Sequence, residues 1–125
     1  MLSELFFPEG LVGCAEWRHF ALEQSPETAP LALLHSRDQP GLSLIVVDPR
    51  LVEPDYAPAL EEADRAALGG GDGADLQWLS VLTVQNDPLV VTANLLGPLV
   101  VNRATGTARQ VILSLSGYPA AYPVR

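Results

Sequence analysis

The sequence contains no lysine, a single cysteine and no long apolar run. With Cys14 alone, the chain cannot form an internal disulfide, and His19 and His35 add too few ligands for a structural zinc site. No stretch of about 18 or more apolar residues occurs, so no membrane span is predicted. Residues 1–7 carry Glu4 and no basic residue, which does not fit a secretory signal. These absences predict a protein of the reducing cytoplasm without a metal site.

Basic residues are also scarce. The sequence has seven arginines and 15 acidic residues, which gives a formal net charge of -8. Proteins that bind nucleic acid neutralise phosphates with clustered Lys and Arg, whereas these arginines are scattered singly, so no direct nucleic-acid partner is expected. A basic protein surface is the favoured partner because complementary fields speed encounter. The same acidity would also serve simply to keep the protein soluble.

Short apolar runs rich in β-branched residues, separated by Gly, Pro, Asn and Asp, predict a mainly β protein. The length of 125 residues and the apolar content of 48% suit one domain, residues 1–125, with no internal repeat or long linker. The predicted strands cover residues 4–7, 17–23, 31–35, 42–47, 78–85, 90–95, 99–102 and 107–113.

Two strand predictions rest on specific local chemistry. Residues 99–102 and 107–113 flank a turn in which Gly106 can take the positive φ of a bulged hairpin. Residues 42–47 are apolar almost throughout, which predicts a central strand covered on both faces. Pro49 then ends that strand, because proline cannot donate to a ladder.

One helix is predicted over residues 58–68, with Pro58 in its first turn. Its apolar positions recur at helical spacing, at Leu60, Ala63, Ala67 and Leu68. Gly69 can cap the helix in the left-handed conformation, and the glycines of residues 69–73 predict a mobile surface loop.

Two segments are candidates for partner contact. Residues 53–75 carry seven acidic residues and one arginine, so this part of the chain is either a docking face or only a solvated one. Pro119 and Pro123 make the C-terminal tail unable to continue a sheet, and its tyrosines either dock on a partner or lie back on the fold. The resulting interface candidates are Glu61, Glu62, Asp64, Tyr118 and Tyr122.

The sequence contains no recognisable catalytic motif. The glycine run of residues 69–73 follows a helix and lacks the Lys-Ser/Thr of a phosphate loop. No Gly-x-Ser-x-Gly occurs, and Ser114 and Ser116 lie outside any glycine-flanked elbow. Cys14 and the two histidines are interpreted as structural or surface residues. We therefore predict a protein that is not an enzyme and that needs no cofactor.

Several stretches together resemble the FliW-type flagellar assembly factors. Residues 82–88, 92–102 and 109–113 follow the order of that family's strand, its Thr-x-Asn-Leu-x-x-Pro turn and its Gln-Val-Ile-Leu strand. Residues 7–13 resemble the family's Phe-x-x-Gly segment, and residues 44–49 resemble its central strand ending in proline. The similarity extends over residues 5–124, which is nearly the whole chain.

The resemblance implies a compact antiparallel β-barrel-like domain with one short helix insertion. It also implies two protein partners, flagellin and CsrA, an RNA-binding translational repressor that the family holds away from flagellin messenger RNA. An acidic, lysine-free chain suits CsrA, because a protein that binds RNA is basic near its RNA site. A narrower role, capping the C-terminal helix of flagellin without acting on CsrA, is an alternative.

The resemblance also leads to an expectation about the edge of the barrel. Family members usually carry an additional strand pair ahead of the Phe-x-x-Gly segment, so one barrel edge is expected to be exposed or covered by a partner.

The rival reading is a small-ligand carrier or an enzyme that uses the barrel interior as a pocket. Against it, the predicted interior residues are aliphatic and should fill the barrel, with Trp17 and Trp78 as core anchors: Leu44, Val46, Leu79, Val81, Val100 and Ile112.

Overall fold

The protein is built from antiparallel strands with one short α-helix. The computed structural model describes residues 1–69 and 75–124. Within these ranges the elements are β1 (Leu2–Phe6), β2 (His19–Gln24), β3 (Ala32–Ser36), β4 (Ser43–Val47), a 3-10 turn (Pro49–Leu51), α1 (Glu62–Ala67), β5 (Leu76–Gln85), β6 (Val90–Ala93), β7 (Leu99–Asn102), β8 (Ala108–Gln110) and β9 (Tyr122–Pro123). Every predicted strand is present, β7 with the predicted ends and the others with shifted ends, so the mainly β fold class is confirmed.

The strands form a sheet that curls into a barrel-like ring. Strands β1 to β5 pair in sequence order, each antiparallel to the next. The ten-residue strand β5 pairs with β6 along its second half and with β7 along its first half. β8 pairs with β7, and β9 extends the sheet beyond β6. β4 lies in the middle of the path, as predicted, but only its second half, Val46 and Val47, is fully buried.

The ring closes where the β7–β8 hairpin meets the end of β1. The predicted hairpin is confirmed, and Gly106 in its turn has a φ of +80°. The Phe6 N–H donates to the Gly106 carbonyl at 2.9 Å, and Phe6 forms a parallel bridge with Thr107. Within the described chain, β1 has no other ladder partner on this side. The expected exposed barrel edge therefore lies along the first half of β1.

A first hydrophobic core fills the inside of the ring. Phe7, Phe20 and Leu34 are fully buried in it. Of the residues predicted for the interior, Val46 and Leu79 are buried here, while Leu44 and Val81 are half-buried against them. A recess of about 400 Å³ nevertheless opens between β1 and β7, lined in part by Leu5, Leu22 and Val101 of this core. The remaining members of the first core are Leu5, Leu11, Leu22, Ala32, Leu99, Val101 and Ala108.

A second hydrophobic core lies on the outer face of β5, β6 and β7. Val100, which the sequence placed in the interior, belongs to this second core because alternate residues of a strand face opposite sides. Both faces of β7 are therefore covered, and all its residues are buried. The second core also contains Tyr56, Leu68, Leu76, Ala93, Leu95, Val111 and Leu113. Trp17 packs half-buried against the first core and Trp78 against the second.

The helix prediction was wrong in extent and in its buried face. α1 covers Glu62–Ala67, and Glu61 is its N-cap with extended φ and ψ of -72° and 157°. Pro58 lies before the helix, because the chain there stays irregular while it crosses the second core. The helix buries none of its own residues; the half-buried Leu60 before it and the buried Leu68 after it contact the second core instead.

Gly69 has the predicted left-handed conformation, with a φ of +91°, directly after α1. The Leu68 N–H continues the hydrogen-bonding pattern to the carbonyls of Asp64 and Arg65, so the helix ends as the cap predicts. The rest of the predicted glycine loop, residues 70–73, lies outside the described residues. Among the residues described, no helix is both long enough and apolar enough to cross a membrane.

Two predictions for the last third of the chain are corrected. Ile112 is 46% exposed and not in the interior, because its neighbours Val111 and Leu113 point into the second core. The tail continues the sheet after all, since Tyr122 pairs with Ala93 of β6. Pro123 is tolerated in β9 because a two-residue edge strand needs no donor from it.

Candidate protein-binding surface

The acidic carboxylates of α1 differ in their availability to a partner. Glu61 and Glu62 are exposed at the start of the helix, and no described side chain forms an ion pair with either of them. The Asp64 side chain is only 16% exposed, and its Oδ1 lies 2.9 Å from Nε of Arg109. Glu61 and Glu62 are therefore free to meet a partner, whereas Asp64 has an internal one.

Arg109 of β8 links the helix to the segment that follows β1. Its guanidinium pairs with Asp64 of α1 on one side and with Glu9 on the other. Both carboxylates are thereby connected to the sheet through one cation. The three side chains carry a net charge of about -1, so Arg109 offers little positive potential to the surface around it.

An exposed apolar strip lies beside this ion-pair network. Val12 is 63% exposed and Ile112 is 46% exposed. They flank Gln110, whose Oε1 accepts a hydrogen bond from the Val12 N–H at 2.8 Å and whose Nε2 donates to the Gly97 carbonyl at 3.0 Å. The side chain of Gln110 thus fixes the Val12 loop against β8.

Two small cavities border the strip. One of about 210 Å³ is lined by Glu9, Val12 and Arg109 together with Ala67 of α1. The other, of about 110 Å³, is lined by Glu61, Asp64 and Ile112. We call the region that joins them the acidic–apolar surface, consisting of Glu9, Val12, Glu61, Glu62 and Ile112. Apolar contacts rimmed by one sign of charge suit a protein partner of the opposite charge.

The tail tyrosines lie back on the fold. Tyr118 stacks edge-on against Tyr56 with ring centroids 4.6 Å apart, and its hydroxyl accepts a hydrogen bond from the Ala57 N–H. The Tyr122 hydroxyl donates to Oε2 of Glu53 at 2.8 Å. The tail thus lies back on the fold, and partner contact by its half-buried tyrosines stays a prediction.

These contacts perturb two titratable groups. The Asp55 N–H and then the Tyr122 hydroxyl bond to the Glu53 carboxylate and hold its pKa below its usual range. Burial raises the pKa of Tyr56 well above its usual range, and its hydroxyl donates to the Leu95 carbonyl at 2.8 Å. Glu53 therefore stays charged and Tyr56 neutral near pH 7.

The remaining candidates for chemistry have structural or surface roles. His19 stacks on Phe6 and lies 3.4 Å from Asp38, and His35 lies between Glu23 and Ser43, at 2.7 Å from each. Cys14 packs half-buried against the first core. Within residues 1–69 and 75–124, no group of His, Cys, Asp and Glu is arranged to hold a metal ion.

Sequence reasoning found the acidic helix but missed the apolar strip and the Arg109 network. The alternation of residues 111–113 could have shown that Ile112 faces outward once Val111 was placed inside. The Arg109–Glu9 pair joins residues 100 positions apart, so no local pattern could have predicted it.

Comparisons with known proteins agree on one family. A family model described as "FliW protein" matches residues 2–124. A flagellar assembly factor FliW from Bdellovibrio bacteriovorus is 35% identical over 120 residues, which cover 96% of this chain and 69% of the relative. Another, from Thermotoga neapolitana, is 36% identical over 113 residues, with coverage of 90% and 76%.

A solved structure shows the same fold. A crystal structure of the flagellar assembly factor FliW matches with a TM-score of 0.88 at 30% sequence identity. The match covers 96% of this chain and 84% of that chain. The antiparallel barrel-like architecture with its short helix is therefore that of a known structure.

Proposed function

The chain belongs to the FliW family of flagellar assembly factors, and on that premise we propose that it is a cytoplasmic regulator that sequesters CsrA and binds flagellin. In this proposal residues 1–125 act as one protein-binding domain, and held CsrA cannot repress the flagellin message. The family is one of assembly factors and not of enzymes.

The acidic–apolar surface is the main support for the proposed binding to CsrA. Glu61 and Glu62 supply unpaired negative charge at the start of α1, and Glu61 lines the same cavity as the exposed Ile112. A basic, RNA-binding protein would gain speed of encounter from the charges and affinity from the apolar contacts. Asp64, also predicted at an interface, supports this surface through its ion pair with Arg109. Tyr118 and Tyr122, the other predicted interface residues, bond to Ala57 and Glu53 instead.

The test is a titration of the protein with the CsrA and the flagellin encoded by the same genome, followed by calorimetry and stopped-flow kinetics. Glu62→Lys should slow association with CsrA severalfold at low salt, because it changes the charge of the surface by about two units. The difference should shrink as salt is added.

Glu27→Lys is the matched control, because Glu27 is exposed, carries the same charge and lies outside the acidic–apolar surface. It should leave CsrA association much closer to that of the unchanged protein. Equal slowing by both variants would assign the effect to net charge alone. Absence of binding to both CsrA and flagellin would overturn the proposed function.

A further inference from the structure

The turn that follows β8 presents a leucine to solvent in an unfavourable backbone conformation. The Ser116 N–H donates to the Leu113 carbonyl at 3.2 Å, which closes a four-residue turn over residues 113–116. Leu115, the third residue of this turn, has a φ of +64°. A positive φ at the third position is typical of a type II turn, in which glycine or asparagine normally occupies it. A leucine there is strained, because its Cβ comes too close to a backbone carbonyl oxygen.

The fold gains no packing from the side chain of Leu115. This side chain is more exposed than any other large apolar one in the described part of the chain, and it belongs to neither hydrophobic core. The turn is anchored by its neighbours instead: Leu113 is buried in the second core, and its N–H donates to the Leu96 carbonyl at 2.9 Å. The Oγ of Ser116 accepts from the Tyr118 N–H at 3.1 Å. Backbone strain that serves no packing and persists on an anchored support is typical of functional sites.

The turn lies at the edge of the acidic–apolar surface. Ser114 and Ser116, on either side of Leu115, line the same cavity of about 110 Å³ as Glu61 and Ile112. Leu115 therefore extends the exposed apolar part of this surface. Glu61 is exposed and has no ion-pair partner among the described side chains. No basic residue of the described chain lines the cavity, so the charge beside the leucine favours a basic partner.

We propose that Leu115 is an apolar anchor that inserts into a pocket bordered by basic side chains on the partner protein. The proposal rests on the proposed function, in which CsrA is the basic partner of the acidic–apolar surface. An apolar side chain on an anchored turn loses little entropy on binding, and its burial in the partner removes it from water. Asparagine at this position would relieve the strain but lose the contact, which accounts for the leucine.

Leu115→Asn tests the anchor because stability and binding should change in opposite directions. Asparagine tolerates the left-handed conformation, so the Tm should rise by about 3 °C. The affinity for CsrA should fall at least about tenfold, as expected when one buried leucine is lost. Because the lost contact is apolar, this ratio should stay constant as salt is added, whereas the effect of Glu62→Lys shrinks. Thermal unfolding and calorimetric titration at two salt concentrations measure these changes.

Leu89→Asn is the matched control. Leu89 is 69% exposed, has no positive φ and lines neither cavity of the acidic–apolar surface. This variant should bind CsrA as the unchanged protein does, and its Tm should not rise. Equal weakening by both variants would overturn the specific role of Leu115.

The remaining outcomes separate the anchor from the proposed function. If the unchanged protein binds CsrA and Leu115→Asn binds it equally well, the anchor is overturned and the proposed function stands. Weakened binding to flagellin alone has the same meaning, since the turn would then belong to another interface. A lower Tm in Leu115→Asn would show that the leucine stabilises the fold, which also overturns the anchor. If the unchanged protein binds neither CsrA nor flagellin, the anchor and the proposed function are both overturned.

Discussion

Gly106 shows how a single residue lets the ring close. Its φ of +80° belongs to the left-handed region, and a Cβ placed there would lie 2.7 Å from the carbonyl oxygen of Glu4. Because the glycine has no Cβ, the hairpin turn can approach β1 closely enough for the bond between Phe6 and Gly106. Local turn chemistry and closure of the barrel thus depend on the same missing atom.

Gly106→Ala should destabilise the protein more than Gly117→Ala does. Gly117 has nearly the same φ, +83°, but a Cβ there would meet nothing within 4 Å. Gly117→Ala should therefore cost only the left-handed strain of about 1 kcal/mol, and Gly106→Ala should add the cost of moving β1 away. Urea unfolding of both variants measures the difference. Equal losses would mean that the contact with Glu4 is not needed for closure.

Tyr122 and Glu53 form a pH-dependent link between the tail and the segment before α1. The pKa of Glu53 is lowered by the Asp55 N–H and the Tyr122 hydroxyl, so the stabilisation is present above the unfolded value of 4.5 and is lost as pH falls through the folded pKa. Tyr122→Phe should lower the Tm at pH 7 and make its decline below about pH 5 shallower. Thermal unfolding across pH 3–7 measures this. If the Tm of the variant declines as steeply as that of the unchanged protein, Tyr122 does not contribute to the pH dependence of stability.

At the scale of elements, local patterns predicted the strands better than the helix. The hairpin of β7 and β8 was predictable because Gly106 and the flanking apolar runs lie within a few residues of each other. The start of α1 was not, because Pro58 and Leu60 are positioned by the second core, whose other members come from distant strands. The position of Asp64 next to Arg109 likewise depends on β8 reaching the helix.

The roles of the acidic residues on α1 can be separated by mutation. Asp64→Asn should lower stability by about 1 kcal/mol, the upper end of the range for surface ion pairs, because the Asp64 side chain is only 16% exposed. It should leave CsrA binding nearly unchanged. Glu62→Lys should do the reverse, with weakened binding and stability within about 0.5 kcal/mol of the unchanged protein. Urea unfolding and calorimetric titration of both variants test this. Loss of CsrA affinity in Asp64→Asn without loss of stability would place Asp64 at the interface instead.

At the scale of the whole molecule, the two cores share strands and should unfold together. β5 contributes Leu79 to the first core and Leu76 to the second. β7 contributes Val101 to the first core and Val100 to the second. The family resemblance predicted the barrel-like fold, but residue patterns alone did not show a second core outside the ring. That core needs the tail and the segment before α1 to fold back over β5 and β7, which are contacts at long range.

The shared strands predict one cooperative unfolding transition for residues 1–125. Trp17 reports on the first core in Trp78→Phe, and Trp78 reports on the second core in Trp17→Phe. In both variants the fluorescence transition in urea should coincide with the far-UV circular dichroism transition. Leu34→Ala in the first core and Leu95→Ala in the second should each shift the whole transition by about 2–5 kcal/mol. Separate transitions for the two tryptophans would indicate two independent folding units.

In the proposed function, this protein controls flagellin synthesis by holding CsrA away from RNA. The most direct test measures the fluorescence anisotropy of labelled flagellin leader RNA bound to CsrA while the protein is added. The proposed function predicts that the protein releases the RNA, that Glu62→Lys needs a higher concentration to do so, and that flagellin added afterwards restores the CsrA–RNA complex. RNA that stays bound to CsrA at saturating concentrations of the protein would overturn the proposed control of flagellin synthesis.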